Sequence, residues 1–368
     1  VFEFELTPAQ QRASQELLRF LDSREEQRQF LVWAVCGGGK TEVCFNAVAR
    51  ILSRGGRVLI AIPRKDVVIE LLPRFEKAFP ALNLKAFYGG SRGRWSDARL
   101  VLATTHQCLR FFQSFDLVVL DEADAFPYRG SQTLHYALER ALKPAGRLII
   151  MTATPDRELL TQAQRGKLPF VSIPARHHRQ PLTVPRFIKE RFQPFQAGRW
   201  EVPQSLQQQL LQAQMRQRKV LVFLPTIRLI ETVGREICAW GAAHGLVGRI
   251  THSKSDNSVA VKESLQQQQL DFVVTSTVLE RGVTIPDLDV AVLFADYEAI
   301  FDCRTLVQIA GRAGRRGDPA IVLFYAATLS REMQECCRWI EQMNQEGLQL
   351  GYLDPPGCNQ ETEPTKKC

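Results

Sequence analysis

The chain has 368 residues, enough for two domains of ordinary size. Hydrophobic residues make up 45% of it and charged residues 23%, a balance that excludes an intrinsically disordered protein. The excess of 47 Lys+Arg over 39 Asp+Glu gives a net charge of +8, which suits a polyanionic partner but is too small to establish one.

Membrane-spanning and disulfide-bonded classes are also disfavoured. No apolar run approaches the roughly 18 residues that cross a bilayer, so we expect no membrane insertion. The nine cysteines are scattered without a CxxC pair, which fits free thiols in a reducing compartment. We therefore expect a soluble intracellular protein. Because Val1 lies close to the first helical segment, we also expect that residues before it were removed.

Short apolar runs rich in Val, Ile and Leu alternate with amphipathic segments in the first half of the chain. Strands that alternate with helices predict a parallel sheet covered on both faces. We therefore predict a first α/β domain over residues 1–172. Its strands are predicted at residues 30–35, 58–62, 100–103, 117–120 and 148–151.

The alternation stops in a basic stretch, residues 169–203, that holds six prolines. We interpret residues 173–203 as the linker between domains. The alternation then resumes, which predicts a second domain of the same class over residues 204–346 and a short C-terminal helical tail over residues 347–368. The strands of the second domain are predicted at residues 220–224, 247–251, 272–275, 290–295 and 321–325.

A glycine-rich loop follows the first predicted strand. Glycines let successive backbone N–H groups turn towards a triphosphate, and the next helix presents its positive N-terminal end to the same charge. We predict an ATP site in which Lys40 reaches the β- and γ-phosphates and Thr41 ligates Mg²⁺. Ala34 stands where the usual pattern has a glycine, and a turn that caps a core helix is the alternative. The loop is Cys36-Gly37-Gly38-Gly39-Lys40-Thr41.

An acidic cluster, Asp121-Glu122-Ala123-Asp124, ends the predicted strand 117–120. Ligands bind at this edge of a parallel sheet. One carboxylate is needed to hold the metal and a second to orient the attacking water, so we predict Asp121 for the first role and Glu122 for the second. Asp124 is expected to link to the next motif, Thr152-Ala153-Thr154-Pro155. An acidic cluster without these neighbours would be interpreted as a solvated face.

Two arginines in the second domain, Arg312 and Arg315, are three positions apart and share one face if their segment is helical. A planar guanidinium suits phosphate oxygens, so we predict that both stabilise transition-state charge as arginine fingers. A basic helix that faces solvent or nucleic acid is the alternative. Upstream, Glu280 and Gly282 are predicted to sense the nucleotide. A site shared by two domains is complete only when the cleft closes.

The ordered motifs GGGKT, DEAD, TATP, STVLERGVTIP and QIAGRAGRRGD resemble the signatures of superfamily-two helicases. Within that superfamily they are most similar to the ComFA family of late-competence ATPases, which is related to DEAD-box proteins. The resemblance implies two tandem RecA-like domains and an ATP- and Mg²⁺-dependent motor that moves transforming single-stranded DNA. It also implies that Gln10 contacts adenine. An ordinary helix start with Pro8 in the first turn is the alternative for that segment.

The same resemblance places the DNA contacts at strand ends in both domains. The predicted contacts are Pro63, Arg64, Thr104, Thr105, His106, Thr226, His252, Ser253 and Thr277.

Cellular context follows from the resemblance alone. It implies a cytoplasmic protein at the inner face of the cell membrane, with ComFC and the membrane DNA-uptake channel as partners; formation of a homo-oligomer stays open. Members of the family usually carry a four-cysteine zinc module before the motor, and this sequence has none.

Two alternatives remain for the function. A replication-restart helicase of the PriA type would carry a cysteine-rich insertion in its second domain, which is missing here. A nucleic-acid-binding scaffold with a decayed ATP site would have lost some of the predicted catalytic residues, Lys40, Asp121, Glu122, Arg312 and Arg315.

Overall fold

The computed structural model describes residues 5–23, 26–91, 98–192, 200–252, 261, 264, 267, 269–276, 285–317 and 319–354. Four predicted site residues lie outside the described residues: Ser253, Thr277, Glu280 and Gly282.

The first domain is built on a sheet of seven parallel strands. The strands are β1 (Gln29–Ala34), β2 (Val58–Ile62), β3 (Leu84–Phe87), β4 (Leu100–Thr104), β5 (Phe115–Leu120), β6 (Leu142–Thr152) and β7 (Phe170–Ile173). They lie in the order β3-β4-β2-β5-β6-β1-β7. The helices are α1 (Pro8–Asp22), α2 (Lys40–Ser53), α3 (Lys65–Ala78), α4 (Gln132–Ala141), α5 (Arg157–Gln164) and a short 3-10 helix (Thr105–Arg110).

The second domain repeats this design with six parallel strands. They are β8 (Arg186–Lys189), β9 (Lys219–Phe223), β10 (Gly248–Thr251), β11 (Phe272–Thr275), β12 (Leu288–Leu293) and β13 (Val322–Ala326), in the order β10-β11-β9-β12-β13-β8. The helices are α6 (Gln204–Met215), α7 (Ile227–Ala243), α8 (Cys303–Ala310) and α9 (Arg331–Gln349). The predicted fold class of two tandem RecA-like domains is confirmed.

All ten predicted strands are present, and the structure adds β3, β7 and β8. These three are four residues long and lie at sheet edges, and β3 and β8 carry exposed side chains that interrupt the apolar pattern. Strand β8 lies inside the segment expected as a linker and pairs with β13. Helix α9 likewise continues past residue 346, where the second domain was predicted to end.

The two domains are packed against each other along one side. One apolar cluster runs from β1 of the first domain through α8 to α9. The rings of Trp33 and Trp339 face each other across it, with centroids 6.3 Å apart. Asn344 of α9 also bonds the segment between β7 and β8. Its side-chain amide accepts from Leu182 N and donates to Leu182 O, each at 2.8 Å.

No helix in the described part of the chain is both long and apolar enough to cross a membrane.

Asp289 of β12 is 0% exposed and accepts hydrogen bonds from Arg218 Nε at 2.7 Å and Arg216 Nη2 at 2.6 Å. We expect Asp289→Ala to lower the free energy of unfolding by about 3–5 kcal/mol, because it leaves the buried Arg218 guanidinium without its carboxylate. The matched control is Arg216→Ala, which removes the more exposed partner and should cost less than about 1 kcal/mol. Thermal unfolding midpoints measure both. Equal midpoints for the two variants would show that the burial of Asp289 and Arg218 does not increase the cost of breaking their ion pair.

Candidate active site

The glycine loop joins β1 to α2 through two left-handed backbone positions, Gly37 (φ +79°) and Gly39 (φ +74°). A side chain is strained at such a φ, and at Gly39 a Cβ would also lie 2.2 Å from Gln10 Nε2. Helix α2 then begins at Lys40, so its N-terminal N–H groups face the loop. The local sequence therefore produces the predicted arrangement of strand, glycine turn and helix, and phosphate binding by this turn stays a prediction.

Gln10 supports the loop from the side of α1. Its Nε2 donates to Gly38 O at 3.0 Å, and its Oε1 accepts from Thr7 N at 2.9 Å in a capping box that starts the helix. Gln10 thus contacts the phosphate loop and also serves the ordinary helix start that was the alternative interpretation. Contact with an adenine base stays a prediction.

A cavity of about 330 Å³ lies between the glycine loop and the second domain. This volume is at the lower end of the range for small-molecule sites. The cavity brings together residues predicted from three separate motifs: Gly37, Gly38, Gly39, Lys40, Thr41, Asp121, Glu122, Arg312 and Arg315.

The two carboxylates at the end of β5 differ in environment. Asp121 is 5% exposed; burial raises its pKa to about 6, although the Lys40 cation pulls in the opposite direction. Glu122 has φ +55°, an uncommon value for a residue with a side chain. Its N–H donates to Asp121 Oδ1 at 2.8 Å. Such strain is typical of functional positions, and here it accompanies the turn that brings Glu122 to the cavity.

The residues at this position fit Mg²⁺. Asp121 and Thr41 are both buried oxygen donors in the cavity wall, and a cation would offset the cost of burying the Asp121 charge. Across the described ranges there is no group of three or more His, Cys, Asp or Glu side chains able to hold a metal. Mg²⁺ in nucleotide sites uses one or two protein ligands together with phosphate oxygens and water.

Asp124 connects three motifs. It accepts from Thr152 Oγ1 at 2.7 Å and from Thr154 Oγ1 at 3.0 Å, which confirms the predicted link to the TATP motif. It also accepts from Gln308 Nε2 at 3.1 Å, and Gln308 belongs to α8 of the second domain. The acidic cluster is therefore joined directly to the segment that carries the two arginines.

The segment that carries Arg312 and Arg315 is not helical, so the two arginines do not share a helix face. Helix α8 ends at Ala310, and residues 311–317 form turns. Gly311 is the C-cap of the helix and packs on the glycine loop, where a Cβ would lie 2.5 Å from Cys36 Cβ. The turns still deliver both arginines to the cavity, with Arg312 only 3% exposed. Burial lowers the pKa of Arg315, but guanidinium groups stay charged in proteins.

Arg176 is a site residue that the sequence did not identify. It lies in the chain between β7 and β8, lines the cavity and is 3% exposed. Its only signal was membership of a basic, proline-rich stretch, which gives no position in space.

The predicted DNA contacts that the structure describes fall at the carboxyl ends of β2 and β4 in the first sheet and of β9 and β10 in the second. Among them, His106 is exposed and Arg64 is half-buried and paired with Asp66 at 2.8 Å. His252 Nε2 lies 2.7 Å from Glu231 Oε1. Thr226 caps α7 by accepting from Leu229 N at 3.2 Å. Pro63 and Thr104 are buried at their strand ends.

Thr105 differs most from the prediction, because it is 0% exposed under the 3-10 helix. Its Oγ1 is buried and has no hydrogen-bond partner among the described residues. In this conformation its side chain does not reach the surface where DNA would pass.

Known proteins match both domains. Residues 3–157 match the family described as type III restriction enzyme, res subunit, and residues 201–317 match the helicase conserved C-terminal domain. Among solved structures, Dbp5 of S. cerevisiae bound to RNA and ADP BeF3 is similar with a TM-score of 0.61, at 14% identity, covering 92% of this chain and 91% of that one. The fold and the two family matches define a superfamily-two helicase-like protein.

The particular family follows from closer sequence relatives. Competence protein ComFA of Bacillus subtilis (strain 168) is 36% identical over 351 residues, which cover 95% of this chain and 74% of that protein. Competence protein ComFA of Streptococcus pneumoniae (strain ATCC BAA-255 / R6) is 34% identical over 348 residues, which cover 93% of this chain and 78% of that protein. The chain belongs to the ComFA family, as its motifs predicted.

Proposed function

We propose that this protein is an ATP-driven translocase on single-stranded DNA that takes part in the uptake of transforming DNA during competence. The observation that carries the proposal is the cavity in which a phosphate loop from one domain faces two arginines from the other. Similarity to ComFA proteins supports the competence context.

In the proposed mechanism the first domain binds the nucleotide. The backbone N–H groups of residues 37–39 and the start of α2 hold the phosphates, and Lys40 neutralises charge on the β- and γ-phosphates. Thr41 and Asp121 would hold Mg²⁺, which supplies charge neutralisation at the phosphate oxygens when bound. Glu122, fixed at the cavity by its unusual backbone, orients and polarises the attacking water.

The second domain then completes the site. Arg312 and Arg315 approach the transferred phosphoryl group from the opposite wall and stabilise the charge of the transition state. Hydrolysis removes the group that holds the two walls together, so the cleft is free to open. The Asp124–Gln308 hydrogen bond joins the acidic cluster to α8, and the Cys36–Gly311 contact joins the glycine loop to the residue after α8. They are contacts that such opening would break and closing would remake.

The DNA strand is proposed to run over the carboxyl ends of both sheets. Helix α7 begins there, with its N-terminal N–H groups capped by Thr226, and His106 and Arg64 add groups able to contact phosphate. Backbone contacts of this kind do not depend on sequence, which suits a motor that moves along any strand. A change in the angle between the domains would shift one group of contacts relative to the other.

ComFC and the membrane DNA-uptake channel are proposed as partners, and the inner face of the cell membrane as the place of action. Both proposals are supported by family membership alone, and neither is assigned to a surface here.

We expect single-stranded DNA to raise ATP turnover well above the rate without nucleic acid. The reason is that a strand bound across both domains favours the closed cleft in which the two walls meet. Steady-state phosphate release is measured with single-stranded DNA, duplex DNA and RNA of one length, and Lys40→Ala serves as the catalytically dead control. If no nucleic acid changes turnover, or if RNA alone does, the proposed substrate is wrong.

A further inference from the structure

Arg176 makes an unusual set of contacts for a residue in a connecting segment. Its Nε donates to Cys36 O at 2.9 Å, at the start of the glycine loop. Residues 311–317, which carry Arg312 and Arg315, are called the arginine turn. The two terminal nitrogens of Arg176 donate to carbonyl oxygens of this turn, at 2.8 Å to Ala313, 2.9 Å to Gly314 and 2.8 Å to Gly311. One guanidinium therefore bonds the main chain of both cavity walls with four hydrogen bonds.

The geometry of these contacts is specific to arginine. A guanidinium offers five N–H donors in a rigid plane, so the carbonyl groups it bonds are held at fixed positions relative to one another. A lysine at the same position would keep the positive charge but could present only three donors from one flexible point. Replacement of Arg176 by lysine therefore separates the effect of the positive charge from the effect of the guanidinium geometry.

Arg176 also lies directly beside the group that it would position. The carbonyl oxygen of Gly311 accepts from Arg176 Nη2 and, at 3.2 Å, from Arg315 Nε. Displacement of this carbonyl would therefore move the anchor of Arg315. A misplacement of about 1 Å in a catalytic group can cost about 10²-fold in rate.

We propose that Arg176 is a positioning residue that sets the distance between the phosphate loop and the arginine turn, and through it the placement of Arg315. The inference rests on the proposed function, since it assigns Arg315 to hydrolysis. The segment between the two domains is then part of the site, because its residue Arg176 sets the distance between the two walls of the cavity.

The test compares Arg176→Lys with Arg218→Lys in the full chain. Arg218 is also buried and also bonds a main-chain carbonyl, but its contacts with Asp289 and Leu288 lie inside the second domain. Both variants keep the charge and lose a buried guanidinium, so thermal unfolding should report similar losses. We expect only Arg176→Lys to lower the DNA-stimulated kcat, by about 10²-fold, with the dissociation constant for a fluorescent ATP analogue nearly unchanged.

A double variant tests whether the effect passes through Arg315. If Arg176 acts by positioning Arg315, then Arg176→Lys combined with Arg315→Ala should be no slower than Arg315→Ala alone. Multiplied losses would show that Arg176 acts independently. A kcat for Arg176→Lys within about twofold of the native value would show that charge alone is sufficient, and the proposal would be wrong.

A readout without catalysis separates this inference from the proposed function. Cys36 is 4% exposed and packs on Gly311, so loosening of the cleft should expose its thiol. We expect N-ethylmaleimide to label Cys36 faster in Arg176→Lys than in Arg218→Lys, as mapped by mass spectrometry. If the native protein shows no DNA-stimulated turnover, the proposed function fails while this comparison still tests Arg176. Equal labelling rates in the two variants would contradict the proposal that Arg176 holds the two cavity walls together.

Discussion

Replacement of Glu122 by glutamine is expected to slow DNA-stimulated ATP hydrolysis by about 10³-fold, within the range for loss of a general base. The amide has nearly the shape of the carboxylate but cannot accept a proton from the attacking water. The turn at Glu122 should survive, because the hydrogen bond to Asp121 Oδ1 comes from the backbone N–H of Glu122 and not from its side chain. Binding of ATP and of single-stranded DNA should therefore stay close to native.

Single-turnover phosphate release at saturating ATP measures the loss, and fluorescence titrations measure the two binding steps. Glu139→Gln is the matched control, since Glu139 is exposed on the neighbouring helix α4 and should tolerate the same chemical change. Turnover in Glu122→Gln equal to that of the control would remove Glu122 from its proposed role and leave another group to activate the water.

Arg315→Ala is expected to slow hydrolysis by about 10³- to 10⁵-fold and to preserve nucleotide binding. Arginine fingers contribute about 10³ to 10⁵ in rate to phosphoryl transfer, and their charge acts mainly in the transition state. The phosphates would be held by the glycine loop and Lys40 of the first domain, so the ground-state complex should form without Arg315. Rapid-quench kinetics measure the hydrolysis step, and a fluorescent ATP analogue measures binding.

The exposed neighbour Arg316 provides the control, because Arg316→Ala removes an equal charge from the same turn without opening the cavity. Native turnover in that control, with a large loss in Arg315→Ala, would assign the effect to position and not to net charge. Loss of nucleotide binding with unchanged hydrolysis at saturation would instead make Arg315 a binding residue.

Local chemistry explains what could be predicted from the sequence. The glycine loop was identified because its glycines stand between an apolar strand and a helical segment within one short stretch of chain, and the structure gives Gly37 and Gly39 left-handed backbone angles. The acidic cluster was identified for a similar reason, since β5 is apolar from Leu117 to Leu120, directly before Asp121. Buried parallel strands are continuous apolar runs, which is why the central strands were found. Of the four edge strands, β10 was found and β3, β7 and β8, which are four residues long, were not.

The sequence by itself thus determined the fold class, the family and the residues of the phosphate loop, the acidic cluster and the arginine turn. Only the tertiary structure decided how they meet: Arg176 bonds Cys36 across 140 positions of chain, Asp124 bonds Gln308 across 184, and Thr105 is buried away from the surface. Such contacts depend on the packing of whole domains, and no spacing between residues along the chain encodes the distance between the surfaces of two domains.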